Sequence, residues 1–329
     1  MAEFLNTPSV TKARAGTFIP EIWSDEIIAS YQKTLKMAPL VKKMTMTGKK
    51  GDTIHIPKPV RGTPTVKGAE AQVTLIANTE QELQVLVDRH FEYSRLIEDI
   101  ADVQALSSMR QFYTEDAGYA LATQVDADLH AAATGFGDGT RTYSPTDTGT
   151  SFAHSACFYN NDPSGSRSTD PYSADVVVAG DVFTDDFFRD MIQKMDDNDI
   201  PMDQRVLIVP PSARNQIMGI NRYVSSDFVG GQPVASGLIG NLYGVDVYVS
   251  SNCGLIEASA ENNAGAGPAV RAGLLFHRDA IVMAEQLGVR TQTQYKQEYL
   301  ANLFTADTLY GVETYRPEAG FVLALPDVA

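Results

Sequence analysis

The sequence is poor in cysteine and lacks the spacings through which cysteine and histidine bind zinc. Its two cysteines, Cys157 and Cys253, are far apart, and neither belongs to a Cys-x-x-Cys pair. This excludes a disulfide framework, which a chain of 329 residues does not need, since it can bury about three quarters of its unfolded surface. Two isolated thiols are typical of a protein from a reducing compartment.

Basic charge and long apolar runs are also scarce. The chain has 26 Lys+Arg against 41 Asp+Glu, a formal charge of −15 and a pI near 4.7. A protein whose main task is to bind nucleic-acid phosphates usually has a basic surface, so that class is disfavoured. No segment approaches roughly 18 uninterrupted apolar residues, so no membrane contact is expected. Residues 1–16 lack the apolar core of a signal peptide.

Catalytic and metal-binding motifs are missing as well. The five histidines form no HExxH or HxH pattern, and no GxSxG elbow occurs. Residues 135–139 (GFGDG) follow a predicted helix and lack the GK[ST] of a phosphate loop. The acidic run at 196–199 lacks the glycine and glutamate of an EF-hand loop, which leaves incidental divalent binding as a minor alternative. We therefore predict no enzyme activity, no catalytic residue, no cofactor and no metal site.

The charge is unevenly distributed along the chain. Residues 1–70 carry 11 basic and 6 acidic side chains, a net +5, whereas the rest carries 15 and 35, a net −20. The basic residues are not interleaved with aromatics, which argues against a stacking platform for single-stranded nucleic acid. Contact with the acidic surface of a neighbouring subunit is the favoured interpretation, and the predicted contact residues are Lys49, Lys50, Lys58, Arg61 and Lys67.

The first half of the chain predicts an arm, a helix, a two-stranded loop and a very long helix. The first helix begins near Pro20 and is stopped by Pro39. Alternation predicts strands at 52–57 and 83–91, joined by a long polar tip. Because an isolated two-stranded arm is marginal in water, we expect it to lie on another subunit. Residues 97–133 contain no proline and carry apolar residues at helical spacing, so they predict one helix.

The second half predicts an α+β region and a return to strands. A stretch rich in glycine, serine and threonine at 135–174 is expected to be a surface insertion. Helices are predicted at 181–196 and 212–218. Short apolar runs bounded by turn residues predict strands at 175–179, 205–209, 245–249, 272–276, 280–285, 308–315 and 321–325.

Several local strings occur in a specific order with these elements. They are residues 18–23 (FIPEIW), 51–57 (GDTIHIP), 95–100 (RLIEDI), 209–211 (VPP), 237–240 (GLIG), 244–250 (GVDVYVS), 277–280 (HRDA) and 309–317 (LYGVETYRP). Their order and spacing resemble the major capsid protein of tailed bacteriophages, in the branch of the short-tailed-phage coat proteins. The resemblance covers about residues 18–325.

The resemblance implies an α+β Hong Kong-type (Johnson) capsid fold with an extended loop, a long spine helix, a peripheral domain and an axial domain. Its expected regions are an N-terminal arm (1–20), an N-terminal helix (21–44), the extended loop (45–92), a peripheral domain with the spine helix (93–134 and 272–329), and an axial domain (135–271) that includes the insertion at 135–174.

The resemblance also implies a structural function. Subunits would self-assemble into pentamers and hexamers of an icosahedral head that encloses double-stranded DNA without sequence-specific binding, through a procapsid that expands. The expected partners are other copies of the chain, a portal protein and, as an optional addition, a decoration protein. A separate scaffolding protein is also expected, because only a short arm and the loop precede the spine helix. The expected location is the virion, after assembly in the bacterial cytoplasm. The alternatives are an encapsulin-like shell around cargo enzymes and a two-domain α/β enzyme.

Overall fold

The computed structural model describes residues 36–47, 51–59, 62, 64–69, 72, 80–98, 108–137, 156–159, 182–220, 240–256 and 270–327. The predicted arm at 1–20, residues 21–35 of the predicted N-terminal helix, most of the 135–174 stretch and the strand predicted at 175–179 lie outside these residues.

The described strands, in chain order, are β1 (Lys42–Thr45), β2 (Thr53–Pro59), β3 (Glu80–Leu86), β4 (Arg89–Glu98), β5 (Cys157–Tyr159), β6 (Arg205–Val209), β7 (Asn241–Leu242), β8 (Val245–Val249), β9 (Val270–His277), β10 (Ile281–Lys296), β11 (Ala301–Thr314) and β12 (Gly320–Pro326). The described α-helices are α1 (Ser108–Ala132), α2 (Asp185–Asp197) and α3 (Pro211–Met218).

Three sheets organise these strands. One has four strands in the order β1-β10-β11-β4, and one has six in the order β5-β12-β9-β6-β8-β7. The third is a ribbon formed by β2 and β3 alone, which pair antiparallel from Thr53↔Leu86 to Pro59↔Glu80. This bears out the prediction of a two-stranded element within residues 45–92.

Helix α1 corresponds to the predicted spine helix, and its described part is 25 residues, or about 38 Å, long. It packs on β4, β10 and β11, with Ala117 and Leu121 of the helix in one buried cluster with Phe304 and Ala306 of β11. None of the helices in the described part of the chain has the length and apolar character that a membrane span requires.

The predicted start of this helix at residue 97 is wrong. Ile97 and Glu98 are the end of β4, whose residues pair continuously with β11 from Tyr310↔Arg89 to Ala301↔Glu98. The apolar spacing that indicated a helix there also fits a strand that is covered on one face. Backbone pairing with the 14-residue β11 decides in favour of the strand.

The strand predicted at 83–91 is two strands, not one. Val87 is buried at the base of the ribbon, and its N–H donates to the carbonyl oxygen of Asp52 at 2.7 Å. The chain leaves the ribbon at this point and enters the four-stranded sheet as β4. A similar difference occurs earlier, where residues 42–44 of the predicted helical region belong to β1, which pairs parallel with β10.

The main hydrophobic core joins the six-stranded sheet to α2, α3 and the end of α1. Strand β6 is buried at every residue, as its continuous apolar run predicts. Helix α2 begins where the Thr184 hydroxyl accepts a hydrogen bond from the Phe187 N–H, and it buries Phe187, Phe188 and Met191 against the sheet.

The C-terminal strands divide between the two large sheets. Strands β9 and β12 pair with each other, and β9 also pairs with β6 of the six-stranded sheet. Strands β10 and β11 form a long hairpin in the four-stranded sheet. The predicted boundary between residues 271 and 272 therefore falls inside β9. Strands β10 and β11 are also much longer than the segments predicted at 280–285 and 308–315.

Candidate subunit-contact surface

The ribbon projects two strands whose outer part is exposed. All described residues between β2 and β3, at positions 62, 64–69 and 72, are exposed, and Val66 is fully so. On the strands, Glu82 accepts a hydrogen bond from the Gln84 amide at 2.6 Å and contacts the His55 ring at 3.2 Å. The hydrogen bond from Gln84 lowers the pKa of the Glu82 carboxyl, with His55 adding to the effect. The ribbon surface thus carries hydrogen-bond donors and acceptors that are held in place by contacts with each other.

Two of the predicted contact lysines lie on this exposed element. Lys58 is on β2 opposite Gln81, and Lys67 is in the segment between the strands; both are exposed. Lys49, Lys50 and Arg61 lie outside the described residues. The structure therefore puts Lys58 and Lys67 on one projecting element and leaves the remaining predicted residues unplaced.

The base of the ribbon is fixed to the four-stranded sheet by apolar packing. Met46, Val85 and Val87 form a buried cluster with Val282 and Ala284 of β10. The Gln286 amide also donates to the carbonyl oxygen of Gly51 at 2.9 Å. These contacts orient the ribbon relative to the rest of the subunit, although its outer part is solvent-exposed.

A glycine allows the closest approach between the ribbon and the sheet. At Gly311 of β11, an added Cβ would lie 2.1 Å from the carbonyl oxygen of Leu86 and 3.1 Å from the Cα of Val87. No side chain fits there, so this glycine determines how near β11 lies to the point where the chain leaves the ribbon.

A second exposed surface lies at the far end of the β10–β11 hairpin, and we call it the hairpin end. It combines exposed apolar side chains with charges of both signs. Tyr299 and Leu300 are 63% and 66% exposed at the turn, and Leu96 is 45% exposed at the adjacent end of β4. The hairpin end comprises Leu96, Glu98, Tyr295, Lys296, Glu298, Tyr299 and Leu300.

Leu300 has an unusual backbone conformation for its residue type. Its φ is +47°, in the left-handed region, where a glycine or asparagine is ordinarily favoured. A leucine at this position carries a steric cost and also places a large apolar side chain in water. Both features have an energetic cost in the isolated subunit.

Charged side chains on β4, β10 and β11 link these strands of the four-stranded sheet. The Asp307 carboxylate on β11 accepts two hydrogen bonds from Arg290 on β10, at 2.7 and 2.8 Å, and lies 3.2 Å from the ring of His90 on β4. The hydrogen bonds from Arg290 hold the pKa of the Asp307 carboxyl below its usual value. One side chain thus bridges three adjacent strands.

A second set of charged groups attaches the spine helix to the sheet. Asp128 on α1 accepts a hydrogen bond from the Tyr310 hydroxyl at 2.7 Å and forms an ion pair with Arg89 at 2.9 Å. Burial, reinforced by Asp128, raises the pKa of Tyr310. On the same helix, Asp116 accepts a hydrogen bond from the Tyr93 hydroxyl of β4 at 2.7 Å.

The hairpin end and these charged groups were not found by sequence reasoning. The alternation of residues 289–296 (VRTQTQYK) could have predicted the outer half of β10, and it would have put residues 297–300 in a turn. No local signal pairs Arg290 with Asp307 or Asp128 with Tyr310, because their contacts depend on sheet register.

In the described part of the chain, the surroundings of the histidines and cysteines indicate structural roles. No group of three or more His, Cys, Asp or Glu residues there is arranged to hold a metal ion. Both cysteines are buried, and burial raises the pKa of the Cys253 thiol to about 12. His277 accepts a hydrogen bond from the Asp279 N–H at the start of a short 3-10 helix.

Comparison with known proteins gives one consistent result over nearly the whole chain. The family model described as "Phage capsid protein" matches residues 18–322. No curated protein sequence matches the chain.

Solved capsid chains have a similar fold at low sequence identity. A chain from Mycobacterium phage Che8 is 22% identical, with a TM-score of 0.67, and the match covers 93% of this chain and 97% of that one. The cyanophage Pam1 capsid is 14% identical, with a TM-score of 0.67 and 99% of both chains covered. The capsid of Ralstonia phage GP4 is 14% identical, with a TM-score of 0.66 and coverage of 94% and 96%. At these identities the likeness shows a shared fold.

Proposed function

Because this chain belongs to the phage capsid protein family, we propose that many copies of it assemble, as pentamers and hexamers, into an icosahedral head that encloses double-stranded DNA. The protein is a structural component of the virion capsid. The observation that carries the proposal is the extent of the match, since the family model spans residues 18–322 and the capsid folds cover more than nine-tenths of the chain.

The ribbon is the first proposed contact between subunits. Its base is buried against β10, whereas its described outer residues are exposed and include Lys58 and Lys67. A projecting two-stranded element is marginal alone and gains stability by lying on another surface. We assign that surface to a neighbouring subunit, whose chain carries a net −20 outside residues 1–70. Lys49, Lys50 and Arg61 complete the proposed basic contact set.

The hairpin end is the second proposed contact. Its exposed apolar residues are accompanied by Lys296 at the end of β10, Glu298 on the turn and Glu98 on the neighbouring strand. A surface with both charge signs is self-complementary, because a lysine of one copy can face a glutamate of another around a symmetry axis. A second copy of this chain is therefore its proposed partner.

The proposed domain division follows the sheets. The four-stranded sheet with α1 forms the peripheral domain, and the six-stranded sheet with α2 and α3 forms the axial domain. Relative to the division at residues 271 and 272, this assigns β9 and β12 to the axial domain. The support is hydrogen bonding, since β9 pairs with β6 and β12 pairs with β9.

The proposed assembly pathway involves other proteins. A scaffolding protein directs formation of a procapsid in the host cytoplasm, a portal protein occupies one vertex, and a decoration protein is an optional addition. Expansion of the procapsid then gives the mature head. An acidic chain suits this role, because an inner wall that bound packaged DNA strongly would oppose its packing and release.

Microscopy of the expressed protein tests shell formation. The full-length chain is expressed with and without a scaffolding protein and examined by negative-stain electron microscopy. We expect closed shells, at least when the scaffolding protein is present. Monomers under both conditions would overturn the proposal, and shells filled with cargo enzymes would support an encapsulin-like function instead.

Replacing the basic contact residues tests the role of the ribbon. The quadruple variant Lys49→Ala, Lys50→Ala, Lys58→Ala and Lys67→Ala should assemble poorly while remaining folded. Each exposed pair contributes only about 0–1 kcal/mol, but every copy of the subunit repeats the contacts. The matched control is Lys43→Ala, an exposed lysine on β1 outside the ribbon. A normal shell yield from the quadruple variant would refute the contact.

A further inference from the structure

The outer half of β10 forms an open edge of the four-stranded sheet. On the side away from β11, β10 pairs with β1 only as far as Thr45↔Glu285, and the Met46 N–H then donates to the carbonyl oxygen of Glu285 at 2.8 Å. No other strand in the described part of the chain pairs with that side. Every second residue from 290 to 296 therefore directs its backbone N–H and C=O groups away from β11.

This edge is regular and exposed. It pairs with β11 without a break from Arg290↔Asp307 to Lys296↔Ala301, and residues 289–295 are all exposed. Soluble proteins usually protect such an edge with several charges, a proline or a covering segment. Between Arg290 and Lys296 the sequence is TQTQY, which contains neither a charge nor a proline. The edge is therefore suited to the addition of another strand.

A second copy of the same edge can pair with it only in certain registers. Residues that lie directly opposite each other in an antiparallel pair project from the same face of the sheet, and neighbouring residues project from opposite faces. A twofold axis perpendicular to the sheet also keeps each residue on its own face. The axis must therefore pass through a residue that lies opposite its own copy, because a register centred between two residues would put opposite faces together.

The sequence of the edge selects Gln292 as this central residue. Centring the pair on Gln292 places Thr291 opposite Thr293, a favourable cross-strand pair, and leaves Arg290 opposite an uncharged side chain. Centring it on Thr293 would place Arg290 opposite Lys296 at both ends, and like charges directly opposite each other are destabilising. Centres nearer the turn would extend the pairing beyond the end of β10.

We propose that the outer edges of β10 from two copies pair antiparallel around a twofold axis at Gln292, which joins two four-stranded sheets into one continuous sheet. The pairing places Val289 opposite Tyr295, a β-branched and an aromatic side chain that are 56% and 44% exposed in the single subunit. The partner is a second copy because the register is self-complementary and because the edge leads directly into the hairpin end. This inference rests on the proposed function, since the shell is what brings the two copies together.

Disulfide crosslinking of the full-length chain tests this register. Gln292→Cys places a thiol on the axis, where directly opposite Cα atoms are about 4.5–5.5 Å apart, a distance that a disulfide spans. The matched control is Gln294→Cys, on the same face of the strand, where the two thiols would be about 13 Å apart along the strands. After oxidation of purified shells, non-reducing electrophoresis should show severalfold more crosslinked dimer for Gln292→Cys. The native cysteines are both buried, so the wild type should give none.

A charge exchange on the axis gives a second test that needs no added thiol. Gln292→Lys and Gln292→Glu each place two like charges opposite one another, so each variant alone should give a lower shell yield than the wild type. Coexpression of the two variants places lysine opposite glutamate and should restore the yield. Equal yields from the single variants and from the mixture would overturn the pairing.

The crosslinking result is separable from the formation of shells. Shells in which the Gln292→Cys and Gln294→Cys variants crosslink equally, or not at all, would overturn the pairing and leave the proposed function intact. That result is also expected if a neighbour's ribbon, instead of its β10, covers the edge. If the wild type forms no shell, the proposed function fails, and the soluble variants are oxidised instead. Preferential crosslinking at position 292 would then still support the pairing, and its absence would refute it.

Discussion

Because Gly311 has no side chain, β11 can pack closely against the point where the chain leaves the ribbon. We expect Gly311→Ala to destabilise the subunit by about 1–3 kcal/mol, because the new Cβ would overlap the Leu86 carbonyl oxygen and force the backbone apart. The measurement is the free energy of unfolding in urea.

Gly118→Ala is the matched control for this substitution. Gly118 lies within α1, and a Cβ there meets no atom within 4 Å. Alanine is the better helix former, so this variant should gain about 1 kcal/mol. Equal effects of the two substitutions would contradict the close approach at Gly311.

Individual residues were predictable only where their role is local. The proline at the first turn of α3 follows from a backbone restriction that the sequence states directly. Asp126 and Asp128, two positions apart on α1, contact different parts of the subunit. Their partners, Asn252 and Tyr310, lie more than 120 residues away and carry no local signal.

Among the elements, the two middle strands of the four-stranded sheet are linked by Asp307 and Arg290, and we expect this link to help hold them in register. Asp307→Asn should weaken this arrangement, because an amide N–H₂ would face the donors of Arg290. We expect faster hydrogen exchange of amides in the outer half of β10, measured by NMR or mass spectrometry. Asp246→Asn, an exposed position on β8, is the control. Unchanged exchange in the Asp307 variant would show that backbone pairing alone fixes the register.

The same carboxylate gives the sheet a defined pH dependence. The pKa of Asp307 is lowered in the folded state, so the unfolded chain takes up this proton first as the pH falls. Its contribution to stability is therefore present above the ordinary aspartate pKa, near 4, and is lost as the pH falls through the lower folded value. Asp307→Asn should remove this component from the acid-unfolding curve.

Elements were predictable where a periodic pattern was unambiguous. The strands β6, β8 and β12 and the helices α2 and α3 have patterns of a single period and lie close to their predicted positions. The apolar residues around Ile97 fit either a helical or a strand period. The conformation there is determined by pairing with β11, which lies about 200 residues later in the chain. Pairing partners that are distant in sequence explain why the start of the spine helix was missed.

On the scale of the whole molecule, the hairpin end predicts an assembly defect without a folding defect. Leu300→Asp should leave the thermal unfolding temperature of the subunit nearly unchanged, because the side chain is 66% exposed, while reducing shell yield strongly. Sedimentation velocity measures the yield. Met202→Asp, at a residue that is 72% exposed on another loop, is the control and should assemble normally if it lies outside a contact. A normal yield from Leu300→Asp would exclude the hairpin end from the subunit contacts.

The uneven distribution of charge along the chain corresponds to different parts of the folded subunit. The basic first 70 residues include β1 and β2, and Lys58 on the ribbon and Lys67 between its strands are exposed. The acidic remainder supplies the bulk of both large sheets. The proposed ribbon contact would place these basic side chains on the acidic surface of another copy.

Electron cryo-microscopy of particles formed by the full-length chain tests the central claim most directly. We predict closed icosahedral shells built from fivefold and sixfold capsomers, in which each ribbon lies across a neighbouring subunit. The result that would contradict the account is a reconstruction in which the ribbons contact only their own subunit, or the absence of any closed particle with the scaffolding protein present.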